Sequence, residues 1–202
     1  SLPINGIPAA GTNPTPPWAA LSQDAEWALT ARAEFLLEGN WAQFTQFTSP
    51  IGSENATMVG VAIHGQQGER TGSTGRKQDQ YGITADLSMN FDGMSFFLSG
   101  TMHNQKNVTG NIPNADWVGY IAQASTYMTD TTELFMRFEG GGVRQNTMGG
   151  DDLHILTSGV NWYLDGQGLK VTSDIGWSFG EISNGMQNLM VATRHKCLVM
   201  GE

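Results

Sequence analysis

Cysteine is almost absent from this chain. Cys197 stands alone, so no intrachain disulfide can form and a cysteine-built metal site is excluded. Charge is scarce as well: Asp, Glu, Lys and Arg make up 14% of the sequence, against roughly 25% in ordinary soluble domains. That shortage, beside 26 glycines, argues against a helical bundle or a coiled coil. Basic residues are outnumbered 10 to 19, for a net charge of −9, which argues against a nucleic-acid partner because phosphate neutralisation needs a basic surface. Missing too are a nucleophile–base pair, a phosphate-cradling glycine loop and an HExxH motif, so neither an enzyme nor a cofactor is expected. His64, His103, His154 and His195 are scattered over different strands and promise no metal site. No run approaches the ~18 apolar residues of a membrane-spanning helix. A β-barrel escapes that test, because it spans with half-polar strands of roughly 9–11 residues.

What the sequence does have is a two-residue beat. From Ala25 to Glu38, Trp27, Leu29, Ala31, Ala33, Phe35 and Leu37 alternate with Glu26, Thr30, Arg32, Glu34 and Glu38, which predicts a strand with unlike faces. The beat returns around Val59–His64, Tyr81–Asn90, Phe96–His103, Val118–Ser125, Glu133–Glu139, Leu156–Leu164, Leu169–Ser178 and, more weakly, Leu189–Val199. Phe97 interrupts one polar face. About nine strands follow, in an all-β chain. Residues 1–24, rich in Pro, Gly, Asn and Ala, read as a loop or lead-in.

The connections alternate in length. Asn90–Gly93, Thr129–Thr131 and Asp165–Gly168 are tight turns. Gln67–Gln78, Asn104–Asp116, Gly140–Asp152 and Gly180–Gln187 are long loops. Up-and-down outer-membrane barrels show this asymmetry, with short periplasmic turns and longer outer loops. Gly39–Thr57 breaks the pattern: it is long on the short side, and strand extensions around Trp41, Phe44 and Phe47 are expected there.

Two readings of the faces remain open. A soluble barrel turns its apolar rows inward, whereas a membrane barrel turns them to lipid and lines its lumen with the polar rows. The small-polar rows Gly82/Thr84/Ser88 and Gly119/Gln123/Ser125 favour the second reading. So do aromatics near strand ends (Trp27, Tyr81, Trp117, Trp162, Tyr163, Trp177), placed as an interfacial girdle. Strand parity then puts residue 25 outside the cell. Because bacterial barrels generally use an even strand number with both ends periplasmic, an odd number of strands is expected upstream.

Three stretches carry a family resemblance: Ala31–Ser49 (ARAEFLLEGNWAQFTQFTS), Val61–Gly68 (VAIHGQQG) and Gly159–Leu164 (GVNWYL). Over roughly Ala25–Phe179 the chain resembles the phosphate-selective porin O and P family. The resemblance implies a sixteen-stranded, antiparallel up-and-down transmembrane barrel, usually trimeric, with residues 25–202 as its C-terminal portion. It further implies an outer-membrane location in a bacterial cell, lipid and lipopolysaccharide as surroundings, and a water-filled channel for small hydrophilic solutes or ions. Two departures stand out. The chain ends Met200-Gly201-Glu202 with no terminal Phe. The polar rows also mix acids (Glu26, Glu34, Glu38, Asp86, Glu133, Glu139, Asp174) with bases (Arg32, Arg137, Lys170, Arg194, Lys196), which is no anion pore, so phosphate is only one candidate solute.

The expected pore-wall residues are Arg32, Glu34, Asp86, Glu133, Arg137, Glu139, Lys170 and Asp174. Arg32 with Glu34, and Arg137 with Glu133 and Glu139, either set a transverse field across a lumen or simply brace the wall. The Gly68–Lys77 loop could touch lipopolysaccharide phosphates, and Asp151-Asp152 could hold Ca²⁺; ordinary solvated loops are the simpler reading of both. Two further function classes stay open: a soluble barrel enclosing a small ligand, and a non-conducting structural or adhesin barrel.

Overall fold

The computed structural model describes residues 25–68, 78–107, 114–143, 152–179 and 189–197. Nine strands form one sheet in sequence order, each antiparallel to the next. They are β1 (Ala25–Glu38), β2 (Ala56–Gly68), β3 (Gln78–Phe91), β4 (Met94–Asn107), β5 (Ala115–Thr129), β6 (Thr132–Val143), β7 (Leu153–Asp165), β8 (Leu169–Phe179) and β9 (Leu189–Cys197). The two-residue beat therefore predicts every strand. Among the described residues β1 and β9 do not pair, so the sheet has two edges. The lead-in 1–24, most of the Gly68–Lys77 loop, Asp151, the loop after Phe179 and the Met200–Glu202 ending lie outside the described residues.

One register runs across the sheet. Glu34 faces Gly60, Gly60 faces Asp86, and the row continues through Ser99, Ile121, Glu139 and Ile155 to Ser178. Because side chains alternate with a period of two, this single register sorts the chain into two faces. The polar face is the enclosed one: Gln66, Gln80, Asp86, Ser88, Asn90, Ser95, Ser125, Glu133, Thr157, Asn161 and Ser178 are all buried. The apolar face is open, with Leu29 at 65%, Ile63 at 53%, Ile83 at 48% and Met136 at 55% of full exposure. A soluble barrel requires the reverse. No apolar rows close on one another among the described residues, and the buried hydrophobic side chains there are Ala56 and Tyr163.

Short connections stay on one end. Asp92-Gly93 joins β3 to β4, Asp130-Thr131 joins β5 to β6, and Gly166–Gly168 joins β7 to β8. Gly93 has φ +70°, a left-handed conformation that costs a residue with a Cβ roughly 1–2 kcal/mol. That hairpin tip is also held from outside: Gly93 N–H donates to the Pro50 carbonyl and Gly52 N–H to the Asp92 carboxylate.

Two expectations are corrected. Gly39–Thr57 holds no strand extensions around Trp41, Phe44 and Phe47; it contains a 3-10 turn, Trp41–Phe44, and otherwise irregular backbone up to β2. The girdle is also smaller than expected. Trp27, Tyr81, Trp162 and Trp177 lie on the apolar face, but Trp117 shares the polar face with His103. Tyr163 is buried on the polar face, 4% exposed.

Replacing Gly93 by Ala is expected to destabilise the fold by about 1–2 kcal/mol from the left-handed backbone alone, with the Ile51 side chain 3.2 Å from the new Cβ adding to it. Gly100→Ala, which meets open space within 4 Å, is expected to stay within about 0.5 kcal/mol of the parent. Urea unfolding of the protein in detergent micelles reads the difference.

Candidate functional site

The segment between β1 and β2 folds back onto the polar face, and its own sequence makes the bend. Gly39 turns the chain at φ +85°. Asn40 then caps the 3-10 turn: its side chain accepts from Ala42 N–H at 3.0 Å, while Gln43 Oε1 accepts from Asn40 N–H at 2.8 Å. Gln43 spends its remaining groups as pins. Its side-chain amide donates to the Glu54 carbonyl at 2.7 Å, and its own carbonyl accepts from Asn90 Nδ2 on β3 at 2.8 Å. Further on, Ser49 donates to the Phe91 carbonyl at 2.5 Å. Phe47 reaches Phe97 edge-on, with ring centres 5.3 Å apart. The aromatic that interrupts the polar row of β4 thus has a partner supplied by the folded-back segment.

The deepest anchor is Glu133 on β6, 2% exposed. Thr48 and Ser125 donate to its Oε1 at 2.9 and 2.6 Å, and Asn161 and Tyr163 donate to its Oε2 at 2.8 and 2.5 Å. A carboxylate offers about four acceptor positions, and here each is matched by a donor. The hydroxyl protons are thereby fixed in direction. Thr48 has given its proton to Glu133, so Tyr127 OH donates to Thr48 across their 2.9 Å contact; Ser95 likewise donates to Ser125 at 2.7 Å. Tyr127 and Tyr163 stack at 5.5 Å. Glu133 is therefore not a pore-wall charge. It is a buried knot tying β5, β6 and β7 to the folded-back segment.

A second charged group sits on the same face. Arg32 on β1 reaches across β2 to Asp86 on β3, with Nη1–Oδ2 at 2.7 Å and Nη2–Oδ1 at 3.0 Å, and its Nε meets Glu34 Oε1 at 2.8 Å. The strand between contributes Gly60 at the crossing point, where a Cβ would come within 2.6 Å of the Asp86 carboxylate. A glycine in the polar row of β2 is what lets the fork close. This two-toothed geometry is specific to arginine. Asp86 is nearly covered, its side chain 7% exposed, while Arg32 and Glu34 remain about two-fifths exposed.

Between this fork and the folded-back segment lies a cavity of about 340 Å³, lined by Arg32, Glu34, Asp86, Phe44, Phe47 and Phe97 with Gln46, Ser88, Asn90, Ser95 and Gln123 around them. The sequence expectation thus brings three residues together here: Arg32, Glu34 and Asp86. Arg137 pairs with Glu139 at 3.5 Å, beside the site rather than in it, and the expected Arg137–Glu133 pairing is replaced by the buried knot. Lys170 lies over the Tyr163 ring at 5.4 Å. Asp174 stands opposite Gly159 in the register, and Arg194 and Lys196 pair with Thr172 and Lys170. Thr48, Ser125, Asn161 and Tyr163 escape a reading by residue type, being neutral and spread over more than a hundred positions. Gly60 carried a signal: a glycine between two charged partners in register.

Elsewhere on the polar face, His64 meets Thr30 at 2.7 Å. Among the described residues no three His, Cys, Asp or Glu side chains converge as a metal site.

No family model matches the chain, and no curated protein matches it. Among solved structures it is similar to the outer-membrane expressed OmpT of Vibrio cholerae, at 13% identity and a TM-score of 0.46, over 70% of this chain and 52% of that one. The chain spans about half the length of that protein.

Replacing Glu133 by Gln puts an amide N–H₂ against two of the four donors. The expected loss is about 1–3 kcal/mol of stability, the cost of stranding buried donors. Glu139→Gln, in a part-exposed pair, is expected to cost under about 1 kcal/mol. Equal urea midpoints for the two variants would contradict the knot.

Proposed function

We propose that this chain is the wall of an outer-membrane β-barrel porin, a water-filled channel for passive diffusion of small hydrophilic solutes or ions. The observation that carries the reading is the inverted distribution of side chains: enclosed polar rows, and open apolar rows spread over eight strands. In water an apolar surface of that extent is unstable, since monomeric soluble proteins expose patches of only a few hundred Å². In a bilayer it is the required outer surface. Strand length agrees. At about 3.4 Å per residue and a tilt near 40°, the fourteen residues of β3 rise roughly 35 Å, enough for the ~25 Å apolar band of an outer-membrane barrel.

The rim supports the same orientation. Trp27, Tyr81 and Trp177 lie near the long-loop end of the apolar face and Phe35 and Trp162 near the short-turn end, as two interfacial belts. Lys106 extends over the Tyr81 ring, 5.9 Å from its centre, where a snorkelling ammonium meets lipopolysaccharide phosphate. Membership of the porin O and P family, closure as a sixteen-stranded barrel and trimer formation belong to the same proposal and rest on the resemblance of the three stretches alone. The mixed charges of the polar face argue for a general or weakly selective pore over a phosphate-specific one.

Ile83→Arg is expected to impair folding into lipid vesicles by about 2–4 kcal/mol if the site lies near the midplane, whereas Thr84→Arg on the opposite face is expected to be nearly silent. Equal tolerance on both faces overturns the membrane reading. Stepwise conductance in planar bilayers separates a channel from a non-conducting structural barrel.

A further inference from the structure

We propose that the cavity between the folded-back segment and the wall is a selecting subsite for a small organic cation with an apolar or aromatic body. The inference rests on the channel reading and adds the solute class. Three observations converge. The first is charge. Arg32 is matched by two carboxylates, Glu34 and Asp86, and the neighbouring Arg137 is matched by Glu139. The lining therefore keeps a net negative charge.

The second is where that charge is available. Asp86 is covered and spends both oxygens on the guanidinium, but Glu34 gives Arg32 only Oε1 and is 41% exposed. Among the described residues its Oε2 carries no partner. Two neutral polar groups of the lining are engaged elsewhere: Asn90 Nδ2 with the Gln43 carbonyl, and Ser95 with Ser125.

The third is the aromatic wall. Phe47 is 70% exposed and held edge-on against Phe97, with Phe44 on the same side of the cavity. Aromatic faces attract cations and cover apolar bodies, and they repel anions from the same position. An ammonium on Glu34 Oε2 with its body against Phe47 uses both features. At about 340 Å³ the space suits a molecule the size of a phenylalkylamine.

The test is calorimetric titration of the micelle-embedded protein with 2-phenylethylammonium, methylammonium, phenylacetate and glucose. The first is expected to bind at least about tenfold more tightly than the others. Glu34→Gln is expected to weaken it about tenfold, as loss of a charged hydrogen bond does. Phe47→Ala is expected to weaken it roughly threefold to tenfold while leaving methylammonium unchanged. Both side chains are well exposed, so the variants are expected to fold. Tighter binding of phenylacetate or glucose, or indifference to both substitutions, overturns the subsite. Conductance is read separately: a conducting protein without cation preference refutes this inference alone, and a cation-binding protein without conductance refutes the channel alone.

Discussion

A strand shows a new side of the sheet at every residue, and everything this protein does depends on that alternation being kept in one register across nine strands. A slip of a single residue between any two strands would exchange the faces beyond it, carrying carboxylates to the apolar side and leucines to the polar side. Side-chain chemistry therefore specifies the register strongly. The resulting wall has apolar rows suited to hydrocarbon on one side and, on the other, a surface able to hold water, buried hydrogen bonds and ion pairs at the same time. Site and solvent preference are two consequences of one pairing scheme.

On the polar side the structure treats its carboxylates in different ways. Glu133 is sealed among hydroxyl and amide donors and works as a fastener between the wall and the folded-back segment. Asp86 is nearly sealed too, but by a guanidinium that arrives over Gly60. Glu34 touches that same guanidinium and stays open. All three lie on polar positions of their strands; what separates them is how many donors the fold brings to each carboxylate. Low dielectric strengthens the buried contacts and makes an unmatched member costly, so the open carboxylate is the one free to meet a solute.

The strands were legible because period-two patterning survives on every one of them, and the faces because Arg32, Glu34, Asp86, Arg137, Glu139, Lys170 and Asp174 all fall on polar positions of the same register. The segment between β1 and β2 was not legible. Its Trp41, Phe44 and Phe47 suggest strand, but Gly39 and the Asn40–Gln43 cap bend the backbone first, and local capping outweighs the pattern. Tyr163 and Trp117 misled for a related reason: an aromatic near a strand end fits an interfacial belt, yet its parity assigns it to the polar face. Glu133 was placed on the correct face and given the wrong role, since its four partners come from three separate segments that only the fold assembles.

The central claim is that odd-numbered positions of β3 face lipid and even-numbered positions face an aqueous interior. Nitroxide labels attached to single cysteines from Tyr81 to Met89, introduced one at a time in a Cys197→Ser background in lipid vesicles, measure it directly. The account predicts collision with oxygen at Tyr81, Ile83 and Ala85 and with a water-soluble nickel chelate at Gly82 and Thr84, alternating residue by residue. A flat profile, or the opposite phase, would contradict it.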